Sequence, residues 1–377
     1  MSVVGIDASR ANHEQKTGVE WYAWQLIEEL KKVIPPNVRV ILYSDAPLVG
    51  ALAHLPPNWH SRVLPWPPGR LWTQLRLSLE MLLKPPDVLF IPAHVYPFIH
   101  PHRTVMTVHD IAAYRHPQSY SWFERWYTLW SARQAVHRLA RVIVPTVFTK
   151  QELLIAFHPE EANRIVVIPH GFHPAYGLAI DPERATAILR QYGISQPFLL
   201  SVGRLEYKKN TARIVAAFNS FANLVTSAPY QLVLVGPPGY GYEAVRGVVK
   251  TSPYRERIRE LGWVPVEHLA AIMKAAAVFV FPSLYEGFGL PVLEALAAGV
   301  PVVASRGTSL PEVGGDAVLY VDPLDTAELA NLLQKMVTTE FSRARRNSGE
   351  ERVKHFSWAK CAAATWTQAL SPLLSDC

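Results

Sequence analysis

Two kinds of hydrophobic segment alternate along this chain. Short continuous apolar runs read as strands buried on both faces. Longer stretches with apolar residues three and four apart read as the helices that cover them. In the first half the strand-like runs are Val3–Ile6, Val38–Tyr43, Val88–Ile91, Thr104–Val108 and Arg141–Val144, followed by Ile165–Ile168. The helix-like segments there are Glu20–Val33, Leu71–Leu83, Trp122–Leu139 and Lys150–Phe157. In the second half Phe198–Val202, Gln231–Val235, Val278–Phe281, Val302–Ala304 and Val318–Val321 read as strands. Thr211–Leu224, His268–Ala275, Pro291–Ala298 and Thr326–Met336 read as helices. This alternation predicts an α/β protein with two Rossmann-like halves and a cleft between them, ligands lying beyond the carboxyl ends of the strands. The join is expected near His170–Pro174, before a looser stretch with Gly177, Asp181 and Pro182, which gives domains of residues 1–173 and 174–355. One more helix is expected from Phe356-Ser-Trp358 to about Leu370, capped by Ser357.

Length and composition narrow the function classes. A chain of 377 residues suits two cores, and 49% hydrophobic with 18% charged residues marks a globular protein. No apolar run reaches the ~18 residues of a membrane helix. Met1–Asp7 enters a strand-like run directly, with no basic region and apolar stretch of a signal peptide. The two cysteines, Cys361 and Cys377, have no framework or metal-ligand spacing, so a cytoplasmic location is expected, with peripheral contact at the inner face of the plasma membrane as its variant. The net charge of +6, with +4 in residues 1–175, suits an anionic substrate or an anionic membrane surface. No run of five or six like charges appears, so nucleic acid is not an expected partner.

The segment Ser283–Pro301 carries the most chemistry. It runs from the strand-like Val278–Phe281 through a Gly-rich loop, Glu286-Gly-Phe-Gly289, into a helix with Pro291 at its start and Gly299 at its end. Free backbone N–H groups and the helix dipole make such a turn an anion site. Glu286 lies in the loop, and Glu294 is placed in the first helical turn, where it could also serve only as a dipole partner. A second element, Gly203-Arg204 to Lys209-Asn210, again lies between a strand and a helix. Cations at a helix N-terminus oppose the dipole, which points to an anion held by Arg204 and Lys209. His109 follows Thr104–Val108 and is read either as cleft-facing or as a structural histidine. Thr17-Gly18 precedes a helix and permits close backbone approach. Gly236-Pro-Pro-Gly239 lacks the dinucleotide fingerprint and reads as a turn. The sequence has no Asp-x-Asp and no His-x-x-x-His, so no metal site is expected. Trp122, Trp126 and Trp130, interleaved with Arg125 and Arg133, form a helical stripe read as core-facing or as a membrane-surface or lipid-acceptor face.

Glu286 and Glu294 within Glu-Gly-Phe-Gly-Leu-Pro-x-x-Glu-Ala, together with Gly-Arg-Leu-x-x-x-Lys, resemble the retaining GT-B glycosyltransferases of family GT4. Further similar pieces are Gly5–Ala8, Thr17–Val19, Val108–Ile111, Ile168–Gly171, Leu261–Val264 and Leu310–Asp316, so the resemblance runs most of the length. Within the family the chain is most similar to bacterial mannosyltransferases of polysaccharide and O-antigen assembly. The resemblance implies a GT-B fold whose C-terminal helix crosses back to the first domain, carrying Trp358 there. It implies that Arg204 and Lys209 hold a donor diphosphate and that His109 approaches the donor sugar. Glu286 would bind hydroxyls of that sugar. Gly287, Phe288, Gly289 and Leu290 would present the loop and helix start, and Glu294 would take the ribose. Gly18 and Gly203 would lie close to the donor, and Trp263 and Val264 would line the base. The sequence departs from the family pattern at Ala277, at Val144-Pro-Thr146 and at Glu20-Trp21.

The expected reaction is transfer of a hexose from a nucleotide diphosphosugar, GDP-mannose favoured over a UDP-hexose. The acceptor is a hydroxyl of a glycan or lipid-linked glycan. Retention is expected by same-face internal return, with no metal and no cofactor. The alternatives are a nucleotide-sugar epimerase on the same fold, which would need no acceptor, and a non-catalytic nucleotide-sugar-binding subunit. A nicotinamide oxidoreductase is disfavoured because its glycine fingerprint is missing.

Overall fold

The computed structural model describes residues 1–13, 16, 18–66, 71–93, 95–226, 228–337 and 339–375, without the side chains of 339–344 and 375. The chain divides into two compact units. Unit 1 comprises residues 1–114, 121–171 and 356–377. Unit 2 comprises residues 115–120 and 172–355.

Unit 1 holds a seven-stranded sheet, and every strand pairing in it is parallel. Its strands are β1 (Val3–Asp7), β2 (Arg39–Ser44), β3 (Trp59–Val63), β4 (Val88–Ile91), β5 (Thr104–Thr107), β6 (Arg141–Val144) and β7 (Ile165–Val167). Their spatial order is β3-β2-β1-β4-β5-β6-β7, so the strand order reverses beside β1. Unit 2 holds a six-stranded parallel sheet of β8 (Phe198–Val202), β9 (Gln231–Val235), β10 (Ile258–Glu260), β11 (Val278–Phe281), β12 (Val302–Ser305) and β13 (Val318–Val321). Their order is β10-β9-β8-β11-β12-β13, and the reversal falls between β8 and β11. The central strands are apolar and buried throughout, as in Val278-Phe-Val-Phe281, because helices cover both faces of a parallel sheet. These are the two Rossmann-like domains that the strand–helix alternation predicts.

The structure adds elements that the hydrophobic pattern did not mark. β3 and β10 are edge strands of mixed polarity, held by backbone pairing to β2 and β9. The stretch beginning at Asp181 is a helix, Pro182–Gln191, with Asp181 accepting from Arg184 N at its start. Tyr242–Thr251 and Thr339–Val353 are helical as well. Leu71–Leu83 divides into a wide π-type turn, Trp72–Leu77, and a regular segment, Ser78–Leu83.

Helix Trp122–Arg138 overturns the core-facing reading of its tryptophans. Trp122 is 81% exposed and Trp126 55%. The buried face carries the small residues Ser131, Ala132 and Ala135 with Val136, which allow close approach to the sheet and leave the large rings on the other side. Trp130 is partly buried, edge-on to Tyr96 and Phe98.

The chain's last segment lies in unit 1. Ser357 caps helix Trp358–Ala364 by accepting from Lys360 N. Trp358 stacks on His170 at 5.9 Å and meets Tyr22 edge-on at 5.8 Å. Gly171 makes this docking possible: a Cβ there would lie 2.2 Å from Trp358 N and 2.6 Å from Ser357 C. Both are backbone atoms and cannot step aside cheaply. Gly171→Ala should therefore destabilise by about 1–3 kcal/mol, the scale of overpacking. Gly247 lies inside helix Tyr242–Thr251 with nothing near its missing Cβ, so Gly247→Ala should stabilise by roughly 0.5–1 kcal/mol. Urea denaturation of the two variants checks the opposite signs; equal shifts would refute the packing argument.

Candidate active site

Unit 2 gathers six loops at the carboxyl ends of its strands, and those after β8 and β11 meet at the reversal of strand order. Lys209 Nζ lies 2.5 Å from Glu286 Oε1, with both side chains mostly buried. The ammonium also sits 5.0 Å from the centre of the Phe281 ring. Sequence reasoning placed both residues in one site but paired Lys209 with a ligand anion. Its counter-ion here is the protein's own carboxylate, which resolves the mismatch of a cation at a helix start.

Backbone contacts fix the two loops. Leu284 N donates to Lys208 O at 2.8 Å. Asn210 adopts φ +60° and donates from Nδ2 to the carbonyls of Pro282 at 3.1 Å and Pro323 at 2.6 Å. Ser309 Oγ donates to the Glu286 carbonyl at 2.9 Å. Gly236-Pro-Pro-Gly239 is more than a turn, because it forms a wall against the β8 loop. Leu205 N donates to Pro237 O at 2.9 Å, and Gly239 N donates to Leu205 O at 3.0 Å. Gly236 has φ +140°, and a Cβ there would stand 2.1 Å from Gly203 O. Gly203 in turn packs on the Lys209 side chain, while Arg204 is exposed at the loop's start.

The second glutamate is placed differently from the sequence reading. Gly289, at φ +97°, is the residue before the helix, which runs Leu290–Ala297 with Pro291 in its first turn. Glu294 therefore falls in the second turn, out of reach of the dipole role. Its partner is Tyr176, which is 2% exposed. Burial, then the neighbouring Glu294, keep the Tyr176 phenol protonated, so its hydroxyl can donate to the Glu294 carboxyl group. Burial pushes the Glu294 carboxyl up to about 8 despite that hydrogen bond. Gly287, Phe288 and Gly289 are buried in the loop between the glutamates. Trp263 is 58% exposed beside Gly262, whose carbonyl accepts from Gly236 N at 2.8 Å. Val264, next in the chain, has its side chain buried in the hydrophobic core.

Sequence reasoning also missed His116, which lies in the short segment that joins unit 2. Its ring meets Tyr207 at 6.3 Å and Tyr285 at 6.0 Å, and burial followed by Lys208 lowers its pKa. Only the fold reveals this position, since no local pattern marks it.

His109 belongs to unit 1, just past β5. Its Nε2 lies 3.1 Å from the Pro92 carbonyl and its Nδ1 3.4 Å from His170 Nε2. Tyr22 packs edge-on against its ring at 4.6 Å. Asp110 accepts from Ala112 N at 2.9 Å and so starts a short helix. Gly18 is the first residue of helix Gly18–Val33, while Thr17 lies outside the described residues. Among the described residues no group of three or more His, Cys, Asp or Glu side chains converges as a metal site would require.

The Glu294 environment makes a stability prediction. Between the ordinary value of 4.5 and about 8, the unfolded chain has lost a proton that the folded protein keeps. Stability therefore falls as pH rises through that window. Glu294→Gln removes the penalty and should raise the melting temperature at pH 8 while changing little at pH 4. Thermal denaturation at both pH values decides it, and an equal shift at both would count against a buried, protonated Glu294.

Comparison with known proteins bears on this arrangement. Residues 16–176 match Glycosyltransferase Family 4 and residues 186–354 match Glycosyl transferases group 1. The chain is 33% identical over 273 residues to O-antigen chain mannosyltransferase B of Escherichia coli, covering 71% of each. Among solved structures, sucrose-phosphate synthase from Thermosynechococcus elongatus superposes with a TM-score of 0.76 at 21% identity, over 100% of both chains. The Anabaena protein Alr3699/HepE, in complex with UDP-glucose, gives 0.73 at 19% identity, again over 100% of both. With both of its domains matched, and its sheets those of the GT-B fold, the chain belongs to glycosyltransferase family 4 and is a transferase of that family.

Proposed function

We propose that the enzyme moves a hexose, mannose in preference to glucose, from a nucleotide diphosphosugar to a hydroxyl of a glycan or lipid-linked glycan. The observation that carries this reading is the Lys209–Glu286 pair at the strand reversal of unit 2. There a cation for a diphosphate and a carboxylate for sugar hydroxyls stand side by side. The preference for mannose, and so for GDP-mannose as donor, is supported by the E. coli mannosyltransferase relative. A nucleotide diphosphosugar as donor class is supported by UDP-glucose in the Anabaena neighbour. The acceptor would be met as a peripheral enzyme at the inner face of a membrane. Among the described residues no helix is long and apolar enough to cross one.

In this reading Arg204 and Lys209 stabilise the leaving diphosphate, with no metal and no cofactor. Glu286 exchanges part of its bond to Lys209 for hydroxyls of the transferred sugar. Glu294, gripped by Tyr176, accepts from the ribose. Gly287–Leu290 supply the backbone approach between them. His109 is the candidate for substrate contact in unit 1, its ring held by Pro92 and His170. The bond from the anomeric carbon to the diphosphate oxygen breaks as the acceptor oxygen bonds from the same face. The acceptor proton passes to the leaving diphosphate, so configuration is retained. The enzyme's contribution is positioning and charge stabilisation.

Lys209→Ala should lower turnover by ~10²-fold or more, the scale for removing one preorganised electrostatic donor. Nucleotide release from a panel of GDP-, UDP- and dTDP-sugars with lipid-linked glycan acceptors measures it and identifies the base. A variant as fast as the parent would end the assignment. Activity should survive EDTA; loss restored by Mg²⁺ or Mn²⁺ would disprove metal independence.

A further inference from the structure

Unit 1 exposes an apolar surface that its fold does not use. Segment Trp72–Leu83 buries Trp72, Leu77 and Met81 against the core, yet its outer face is apolar too. Leu75 and Leu79 are 42% and 47% exposed, and Leu82 and Leu83 are 61% and 66% exposed. A helix facing water normally carries polar residues there. Beside it Ile99 N donates to Ser78 Oγ at 3.1 Å, and Phe98, 53% exposed, meets Trp130 at 5.9 Å. Gln74 Nε2 donates to Tyr127 Oη, joining the same segment to the tryptophan helix. Three sequence-distant pieces thus form one continuous surface that ends in Trp122 and Trp126. At that end a groove of about 760 Å³ opens between the tryptophan helix, with Trp122, Trp126, Arg125 and Arg133, and residues 156–158.

Positive charge predominates around it. Segments 71–84 and 121–138 hold five Lys and Arg against two Glu. Both acids are committed: Glu80 lies 2.7 Å from Arg62 and 3.5 Å from Arg76, and Glu124 closes the capping box with Ser121. Lys84, Arg125, Arg133 and Arg138 are exposed. We propose that this face docks unit 1 on an anionic bilayer. The leucines and Phe98 would enter the acyl boundary, the tryptophans would lie at headgroup level, and the cations would meet lipid phosphates.

Two other occupants fit less well. A glycan stacks on open aromatic faces, but Trp126 and Trp130 are nearly parallel at 6.1 Å and cover each other, and leucines offer it nothing. A second copy of the chain would bring four like charges against their equals, whereas interface cores are depleted of charge. The proposal deepens the peripheral-membrane part of the proposed function. It rests on residues apart from the donor site, so the two can fail separately.

The test is flotation of the purified full chain with vesicles of phosphatidylethanolamine and phosphatidylglycerol, against phosphatidylcholine alone. Binding to the anionic vesicles, weakened by salt, is expected. Leu79→Glu with Leu83→Glu should weaken it about tenfold or more, and Arg125→Glu with Arg133→Glu similarly. Melting temperature and nucleotide release with a water-soluble acceptor should stay unchanged in both variants. Variants that float like the parent would overturn the proposal. So would no binding by the parent, retention on immobilised mannan lost in Trp122→Ala with Trp126→Ala, or a dimer dissolved by the leucine changes. Loss of nucleotide release in the parent alone would strike the proposed reaction and leave the docking face standing.

Discussion

The ion pair between Lys209 and Glu286 organises unit 2. β8 and β11 are neighbours whose connections leave in opposite directions, and the pair spans the gap that opens between their loops. A mostly buried ion pair adds little to stability by itself, because desolvation offsets most of the attraction. Losing one partner, by contrast, leaves a charge uncompensated. Such a pair is therefore better understood as a device for keeping a cation in place before its ligand arrives. The surrounding contacts serve that end. Asn210 ties the Lys209 loop to the carbonyls of Pro282 and Pro323, and Ser309 holds the backbone of Glu286. In the proposed reaction an incoming diphosphate gives Lys209 a second anion, and Glu286 is freed toward neutral hydroxyls that a carboxylate can bind without repulsion.

What could be seen in the sequence follows from where hydrophobicity is forced. Val278-Phe-Val-Phe281 and Leu232-Val-Leu-Val235 must be apolar because helices cover both sides, so their strands stand out. Trp59–Val63 and Ile258–Glu260 lie at sheet edges, where backbone pairing alone makes a strand, and side chains give no warning. Asp181-Pro182 looks like a break, although the same two residues are a good start for a helix. For the site, Glu286, Lys209 and the glycines were legible as local motifs. Their partnership was not, because it joins loops 77 positions apart. The partner of Glu294 was hidden for the same reason, since Tyr176 precedes it by more than a hundred positions, outside every motif. The tryptophan repeat shows the limit of periodicity: spacing says that three rings share a helix face, but only the small residues opposite reveal which face packs.

Unit 1 shows how a chain end can bear on a residue far from it. The Pro92 carbonyl can only accept, so His109 carries its proton on Nε2. Its Nδ1 lies 3.4 Å from His170 Nε2, so the two rings share a hydrogen bond. Burial and then His109 depress the pKa of His170 well below the ordinary histidine value and keep it neutral. Its ring is clamped by Trp358, which reaches it only because Gly171 admits the backbone of Ser357 and Trp358. The orientation of His109 thus depends on the docking of the last helix. A segment that looks in the sequence like a terminal appendage is, in the fold, part of what holds a candidate site residue in its pose.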